Sequence, residues 1–166
     1  PRNCFREWNS LYGGRILRRL KEIIKKTNIQ TNLLELELTE STLMRYSMIT
    51  HKTIKEISDM KIGISLDDFG TGYSSLAHLK NLPISTLKID RSFVKDSDKN
   101  PDDALILKAI ISLGKILKLK LIAEGVENEE QLQFLIKNKC SHGQGFYLSK
   151  PMSAEEMSLL MKNNLS

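Results

Sequence analysis

Glu37, Asp67, Lys88 and Glu124 each stand near the C-terminal end of a short aliphatic run. Side chains alternate faces along a strand. With Leu34, Leu36 and Leu38 on one face, Glu35, Glu37 and Thr39 share the other. Ile62, Ile64 and Leu66 likewise set Ser65 and Asp67 opposite them, and Leu87 and Ile89 set Lys88 opposite them. If these runs are neighbouring strands, three carboxylates and one ammonium meet at the same end of one cavity. Uncompensated like charge is costly there, and divalent cations relieve it. Carboxylates from several strands, with no His or Cys cluster beside them, suit hard ions such as Mg²⁺ or Mn²⁺. Two such ions roughly 4 Å apart, sharing one carboxylate, assist in-line displacement at a phosphodiester. Asp67 suits the shared position, with Asp68 turning inward where the strand breaks before Gly70. Lys88 would hold the attacking water or offset charge developing on the phosphate. Taken one at a time, each acid has a plainer reading as a strand-end residue in solvent or a helix cap, and Glu35, one layer deeper, as a structural ion-pair partner.

The elements that must position these groups alternate between two periods. A helix is expected from Gly14 to Lys26, then a strand Leu33–Leu38, then a helix after Ser41 with Leu43, Met44, Ile54, Ile57 and Met60 inward. The strand Ile62–Asp67 runs into Gly70-Thr71-Gly72, a short helical stretch spans about Ser75 to Lys80, and Pro83 precedes a strand Thr86–Asp90. A polar loop over Asp96–Asp102 leads to a long helix carrying Leu105, Ile106, Ala109, Ile110, Leu113, Ile116 and Leu117. A strand Lys120–Glu124, a helix Asn128–Asn138, a short strand Gly143–Leu148 and a tail helix with a Ser153/Glu156 capping box follow. Strand–helix alternation predicts an α/β fold with a parallel sheet covered by helices. The 166 residues hold about five such units, whereas a closed eightfold barrel takes about 250 residues, so a partial TIM-like (β/α) barrel is expected as one domain over 1–166.

The net charge of +5 comes largely from Arg15, Arg18, Arg19, Lys21, Lys25 and Lys26. These interleave with Ile16, Leu17, Leu20, Ile23 and Ile24 at helical spacing, the pattern of a solvated face on an amphipathic helix. No aromatic residues alternate with the bases to stack nucleotides, which argues against nucleic acid as a partner. A hydrophobic fraction of 40% excludes a disordered chain and is enough for a core. No apolar run approaches the ~20 residues of a membrane helix, and no signal-peptide pattern opens the chain. Cys4 and Cys140 form no CxxC or Cys/His cluster, so a reducing, cytoplasmic setting is expected, with any membrane anchor of a longer protein lying outside these residues.

Six segments carry a resemblance. Glu37-Leu38-Thr39-Glu40-Ser41, Asp67-Asp68-Phe69-Gly70-Thr71-Gly72-Tyr73-Ser74-Ser75, Leu82-Pro83, Leu87-Lys88-Ile89-Asp90-Arg91-Ser92-Phe93-Val94, Ala123-Glu124-Gly125-Val126-Glu127 and Gln144-Gly145-Phe146 resemble, in order and spacing, the successive signatures of the bacterial EAL domain family. The resemblance implies a TIM-like barrel that linearises cyclic di-GMP with two Mg²⁺ or Mn²⁺ ions. By matching motif it implies Glu37, Asp67, Asp68 and Glu124 as metal ligands, and Lys88, Glu124 and Gln144 as the catalytic group. Lys88 would orient the attacking water and Gln144 support the water or metal shell. Glu127 would be a further acid of the site, and Glu40 the glutamate that holds the loop after Asp68. Phe69, Gly70, Thr71 and Gly72 would form a substrate-side loop, which in the family couples dimerisation to activity.

The chain also departs from that pattern. It contains no Glu-Ala-Leu tripeptide, and Pro1–Ser10 do not match the Asn-x-Ser signature expected near Phe5; residues 1–13 lie outside the pattern. An N-terminally truncated domain is therefore expected, with an incomplete metal set, little or no hydrolysis by the chain alone, and weak or absent binding of cyclic di-GMP. Its longer parent could carry upstream signalling domains. The alternative is a degenerate EAL domain that binds cyclic di-GMP or a protein without cutting. An open barrel would leave two strand edges and aliphatic residues such as Ile64, Leu87 and Ile122 uncovered. A homo-oligomer through the edges near Leu33–Leu38 or Gly143–Leu148 is the expected relief.

Overall fold

Alternate residues of β1 (Glu35–Thr39), Leu36 and Leu38, are buried, as a strand with one packed face requires. In the computed structural model, which describes residues 15–40, 48–71 and 79–164, β1 opens a parallel sheet. It continues through β2 (Gly63–Phe69), β3 (Thr86–Ile89), β4 (Lys120–Glu124) and β5 (His142–Gln144), paired in sequence order. Parallel neighbours need a crossover. α2 (Met48–Asp59) joins β1 to β2, α3 (Arg91–Lys95) and α4 (Pro101–Ile116) join β3 to β4, and α5 (Glu129–Lys137) joins β4 to β5. α1 (Arg15–Thr27) precedes the sheet and α6 (Ala154–Asn164) follows it. The result is a partial TIM-like barrel wall.

The register aligns Leu36 with Ile64, Leu66 with Leu87, and Leu87 with Leu121. This aliphatic row meets Leu17 and Leu20 of α1, Ile54 and Ile57 of α2, and Leu107 and Ile111 of α4 in one core. Ile64 and Leu87, expected on an uncovered face, are instead buried to 1% and 0% exposure, because they belong to the row the helices cover. Ile122, one position from that row, is half-buried. Gly114 lets α4 lie close on β4, since a Cβ there would collide with Leu121.

Other expectations shift locally. The sequence read as strand then polar loop after Ile89 contains the short helix α3, started by Asp90, whose carboxylate accepts a hydrogen bond from Ser92 N at 2.9 Å. Of the apolar residues on α4, Leu107, Ile110 and Ile111 are buried, while Leu105, Ile106 and Ile116 stay exposed. The last strand ends at Gln144, and 146–148 form a turn rather than a continuation. The capping box is formed: Ser153 N donates to Glu156 Oε2 at 2.7 Å and Glu156 N donates to Ser153 Oγ at 3.2 Å. Leu43, Met44 and Ser75, assigned to helices, lie outside the described residues.

Candidate functional site

The C-terminal ends of β1 to β4 carry the charged groups, and a bulge in β2 fixes their arrangement. Leu66 pairs with Leu87 and Phe69 with Ile89, so both Asp67 and Asp68 stand opposite Lys88 alone. Asp68 takes up the extra residue in the left-handed region, at φ 53°, a conformation Asp adopts more readily than most residues. Two successive carboxylates thereby reach the same site, which strict alternation would forbid.

Lys88 lies at the centre. Its Nζ is 2.7 Å from Glu124 Oε1, 2.9 Å from Glu37 Oε1 and 3.1 Å from Asp67 Oδ1. The lysine side chain is 9% exposed, whereas Glu37 is 58% exposed and reaches in from solvent. Burial alone would lower the lysine's pKa; its ion pairs with Glu124, Glu37 and Asp67 outweigh that, and the pKa stands above its ordinary value. Asp68 has a raised pKa, through burial first and then the negative charges of Asp67, Asp90 and Glu37, with Lys88 opposing.

Carboxylate oxygens of Asp67, Asp68 and Glu124 lie within 4.8 Å of one another. Asp67 Oδ1 is buried and accepts no hydrogen bond among the described residues. Lys88 Nζ is close enough to attract it electrostatically but approaches outside hydrogen-bonding direction. A buried carboxylate oxygen without a directed donor, beside two further acids, fits a hard divalent cation. Three carboxylates pair with one ammonium and Asp68 stands beside them, so the residues present suit such an ion in charge as well as in ligand type.

The remaining site residues take different places. Glu40 is buried, and its Oε2 accepts a hydrogen bond from Gly70 N at 2.9 Å. Gly70 has φ 101°, and a Cβ there would sit 2.6 Å from Phe93 Cε2, so glycine is required on both counts. Thr71 Oγ1 donates to Asp68 O at 2.8 Å, while Gly72 lies outside the described residues. Phe69, expected in a substrate-side loop, closes β2 with its ring in the core, 6% exposed. The bulge is the reason: it returns the chain to the packed face one residue later than alternation implies. Gln144 is exposed on β5 in register with Glu124, and Glu127 is exposed in the loop after β4; neither joins the ion pairs of Lys88.

Two residues were not singled out from the sequence. Asp90 caps α3 and lies near enough to Asp68 to raise its pKa. Gln131, 1% exposed, accepts from Glu127 N and donates through Nε2 to Lys95 O, each at 2.8 Å. It thus ties the loop after Glu124 to the helix after Lys88. The spacing Asn128-x-x-Gln131, a capping-box pattern, was the available signal, and Gln131 N does donate to Asn128 Oδ1 at 2.8 Å.

The model of the EAL domain matches residues 5–151. The chain belongs to the EAL domain family. An EAL relative, the bifunctional diguanylate cyclase/cyclic di-GMP phosphodiesterase MucR of Pseudomonas aeruginosa, is 46% identical over 138 residues, which is 83% of this chain and 20% of that protein. Among solved EAL structures, the PaMucR phosphodiesterase in complex with c-di-GMP superposes with a TM-score of 0.83 at 44% identity, covering 88% of this chain and 59% of that one. The EAL domain of DcpA from Mycobacterium smegmatis gives 0.85 at 38% identity, covering 93% and 69%. The chain spans about a fifth of the length of the curated relatives it matches.

Proposed function

We propose that this EAL chain carries the greater part of a cyclic di-GMP site, and that in a complete domain the site hydrolyses one phosphodiester bond of that ligand by a two-metal mechanism. The observation that carries this reading is the meeting of Glu37, Asp67, Asp68 and Glu124 around Lys88 at the ends of four parallel strands. The kinship to a cyclic di-GMP phosphodiesterase supports the choice of substrate. Asp67, Asp68 and Glu124 would hold Mg²⁺ or Mn²⁺, with Glu37 adding a fourth carboxylate. Bound divalent ions supply Lewis acidity and a nucleophile at neutral pH. Lys88, kept cationic by its three partners, orients the water that attacks phosphorus and offsets charge on the phosphate oxygens. Glu40 holds the loop at Gly70, and Gln144 and Glu127 line the rim on the β5 side.

Among the described residues, these four carboxylates offer enough protein oxygen for one ion rather than two. The chain by itself therefore turns over little or no cyclic di-GMP, whereas a complete domain would. Calorimetric titration of Mn²⁺ into the wild type and Asp67→Asn, with chromatographic assay of linear product from cyclic di-GMP, tests this. Mn²⁺ binding that Asp67→Asn removes, with at most trace product, is expected. Undiminished binding in the variant would place the ion elsewhere. Turnover matching an intact domain of the family would overturn the inactivity. Retention of cyclic di-GMP by the chain with no cleavage by the complete domain would favour a binding module instead.

A further inference from the structure

Helix α1 holds the entire charge surplus of the protein. Its thirteen residues contain Arg15, Arg18, Arg19, Lys21, Lys25 and Lys26 against Glu22, a surplus of five, and the whole chain carries +5 from 25 bases and 20 acids. The rest of the chain is therefore balanced, with nineteen bases and nineteen acids. All seven charged residues of α1 are exposed, and among the described residues none of its six bases is in an ion pair.

The charges also share one face. Leu17 and Leu20, one turn apart, are buried and belong to the core. At ~100° per residue the six bases cover an arc of about 160° that starts at Lys21, beside Leu17, and runs round to Arg19, with Glu22 inside it. Helix stability accounts for Lys25 and Lys26, which sit in the favoured last turn, but not for the other four. α4, α5 and α6 open on the acid pairs Asp102/Asp103, Glu129/Glu130 and Glu155/Glu156, the favourable sign at a helix start, whereas the first turn of α1 has no acid and carries Arg15 and Arg18.

We propose that the basic face of α1 is a peripheral docking surface for a bilayer rich in anionic phospholipid. Charge complementarity with a diffuse anionic plane suits six exposed bases that make no ion pair among the described residues. Ile23, 45% exposed on the flank of the basic arc, adds the aliphatic contact of an interfacial helix. Duplex or single-stranded nucleic acid fits less well. The face has no aromatic residue to stack a base and no amide side chain to read one. Leu36 and Leu38, in the same core as Leu17 and Leu20, lie on the face of β1 opposite Glu37, so docking through α1 leaves the carboxylate end of the sheet open to solution.

Co-sedimentation of the full chain with phosphatidylcholine vesicles, with and without ~30% phosphatidylglycerol, tests the proposal. Pelleting is expected only with the anionic vesicles, and it should be lost at high salt. The triple variant Arg18→Gln/Lys21→Gln/Lys25→Gln should lower the apparent partition coefficient about a hundredfold, at roughly a factor of five per removed charge. Lys137→Gln/Lys150→Gln/Lys162→Gln removes the same net charge from exposed positions elsewhere and should retain most of the binding. Should the first variant misfold, amine labelling of the wild type replaces it: vesicles should protect Lys21, Lys25 and Lys26 but not Lys137 or Lys162. No pelleting with anionic vesicles, equal pelleting with neutral ones, equal loss in both variants, or tighter capture by duplex DNA at the same salt overturns the assignment.

Discussion

Glu40 and Gly70, thirty residues apart in sequence, are joined by a 2.9 Å hydrogen bond from the glycine N–H to the buried carboxylate. The bond ties the end of β1 to the turn that leaves the β2 bulge, so the backbone carrying Asp67 and Asp68 is held from the neighbouring strand. Glu40→Leu leaves the Gly70 N–H without its acceptor and should cost about 1–3 kcal/mol in urea denaturation, with weaker Mn²⁺ binding by calorimetry. Glu40→Gln keeps an acceptor and should recover most of both. Equal losses in the two variants would mean that the charge, and not the hydrogen bond, matters at this position.

Lys88 is the counter-charge that lets the acids of β1, β2 and β4 sit together. Lys88→Met should destabilise the metal-free chain by on the order of 2 kcal/mol, below the usual figure for a broken buried pair because Glu37 and, in part, the other acids reach solvent. Mn²⁺ at a hundred times its dissociation constant should restore about 2.7 kcal/mol by linkage. Thermal melts with and without Mn²⁺ read both effects. A variant as stable as the wild type without metal would show that the lysine's ion pairs contribute nothing.

The raised pKa of Asp68 has a defined sign in stability. The folded state holds the Asp68 proton to higher pH than the unfolded chain, so between the ordinary aspartate pKa and the raised one the folded state binds more protons. Stability from this group is therefore present at low pH and is lost as pH rises through the raised value. Asp68→Asn should make the metal-free chain more stable at neutral pH and flatten its stability profile across the carboxylate range, while weakening Mn²⁺ binding. Denaturation at several pH values checks the slope. An unchanged slope would show that burial beside Asp67 does not burden this carboxylate.

The outer edges of β1 and β5 have no strand partner among the described residues, and His142, Gly143 and Gln144 are exposed. Unpaired edges invite pairing with another chain. A dimer or larger assembly that uses one of these edges is expected in light scattering after size exclusion. Lys or Pro placed in β5, for example Gly143→Lys, should shift it toward monomer. A stable monomer at micromolar concentration would mean that the edges are covered within one chain.

Local sequence was enough to identify Glu37, Asp67, Lys88 and Glu124 as members of one face. Strand alternation is a property of each strand alone, and Leu36, Leu38, Leu87 and Leu121 announce the packed face without reference to neighbours. The Ser153/Glu156 box was legible for the same reason, being complete within one helical turn. Other features depend on how one strand is registered against the next. The inward turn of Asp68 was legible where the strand breaks before Gly70, but the bulge that makes it and turns Phe69 into the core appears only when β2 is paired with β3, because the extra residue is defined by its partner strand. The burial of Ile64 and Leu87 needed α2 and α4 in place over them. The bonds of Glu40 to Gly70 and of Gln131 to Lys95 span thirty and thirty-six residues, and no local period encodes which distant backbone group a buried side chain will meet. Residue types set the chemistry available at the strand ends; strand register and helix packing brought those groups within 3 Å or so of one ammonium, because only close approach in a partly buried site makes their charges act on one another strongly.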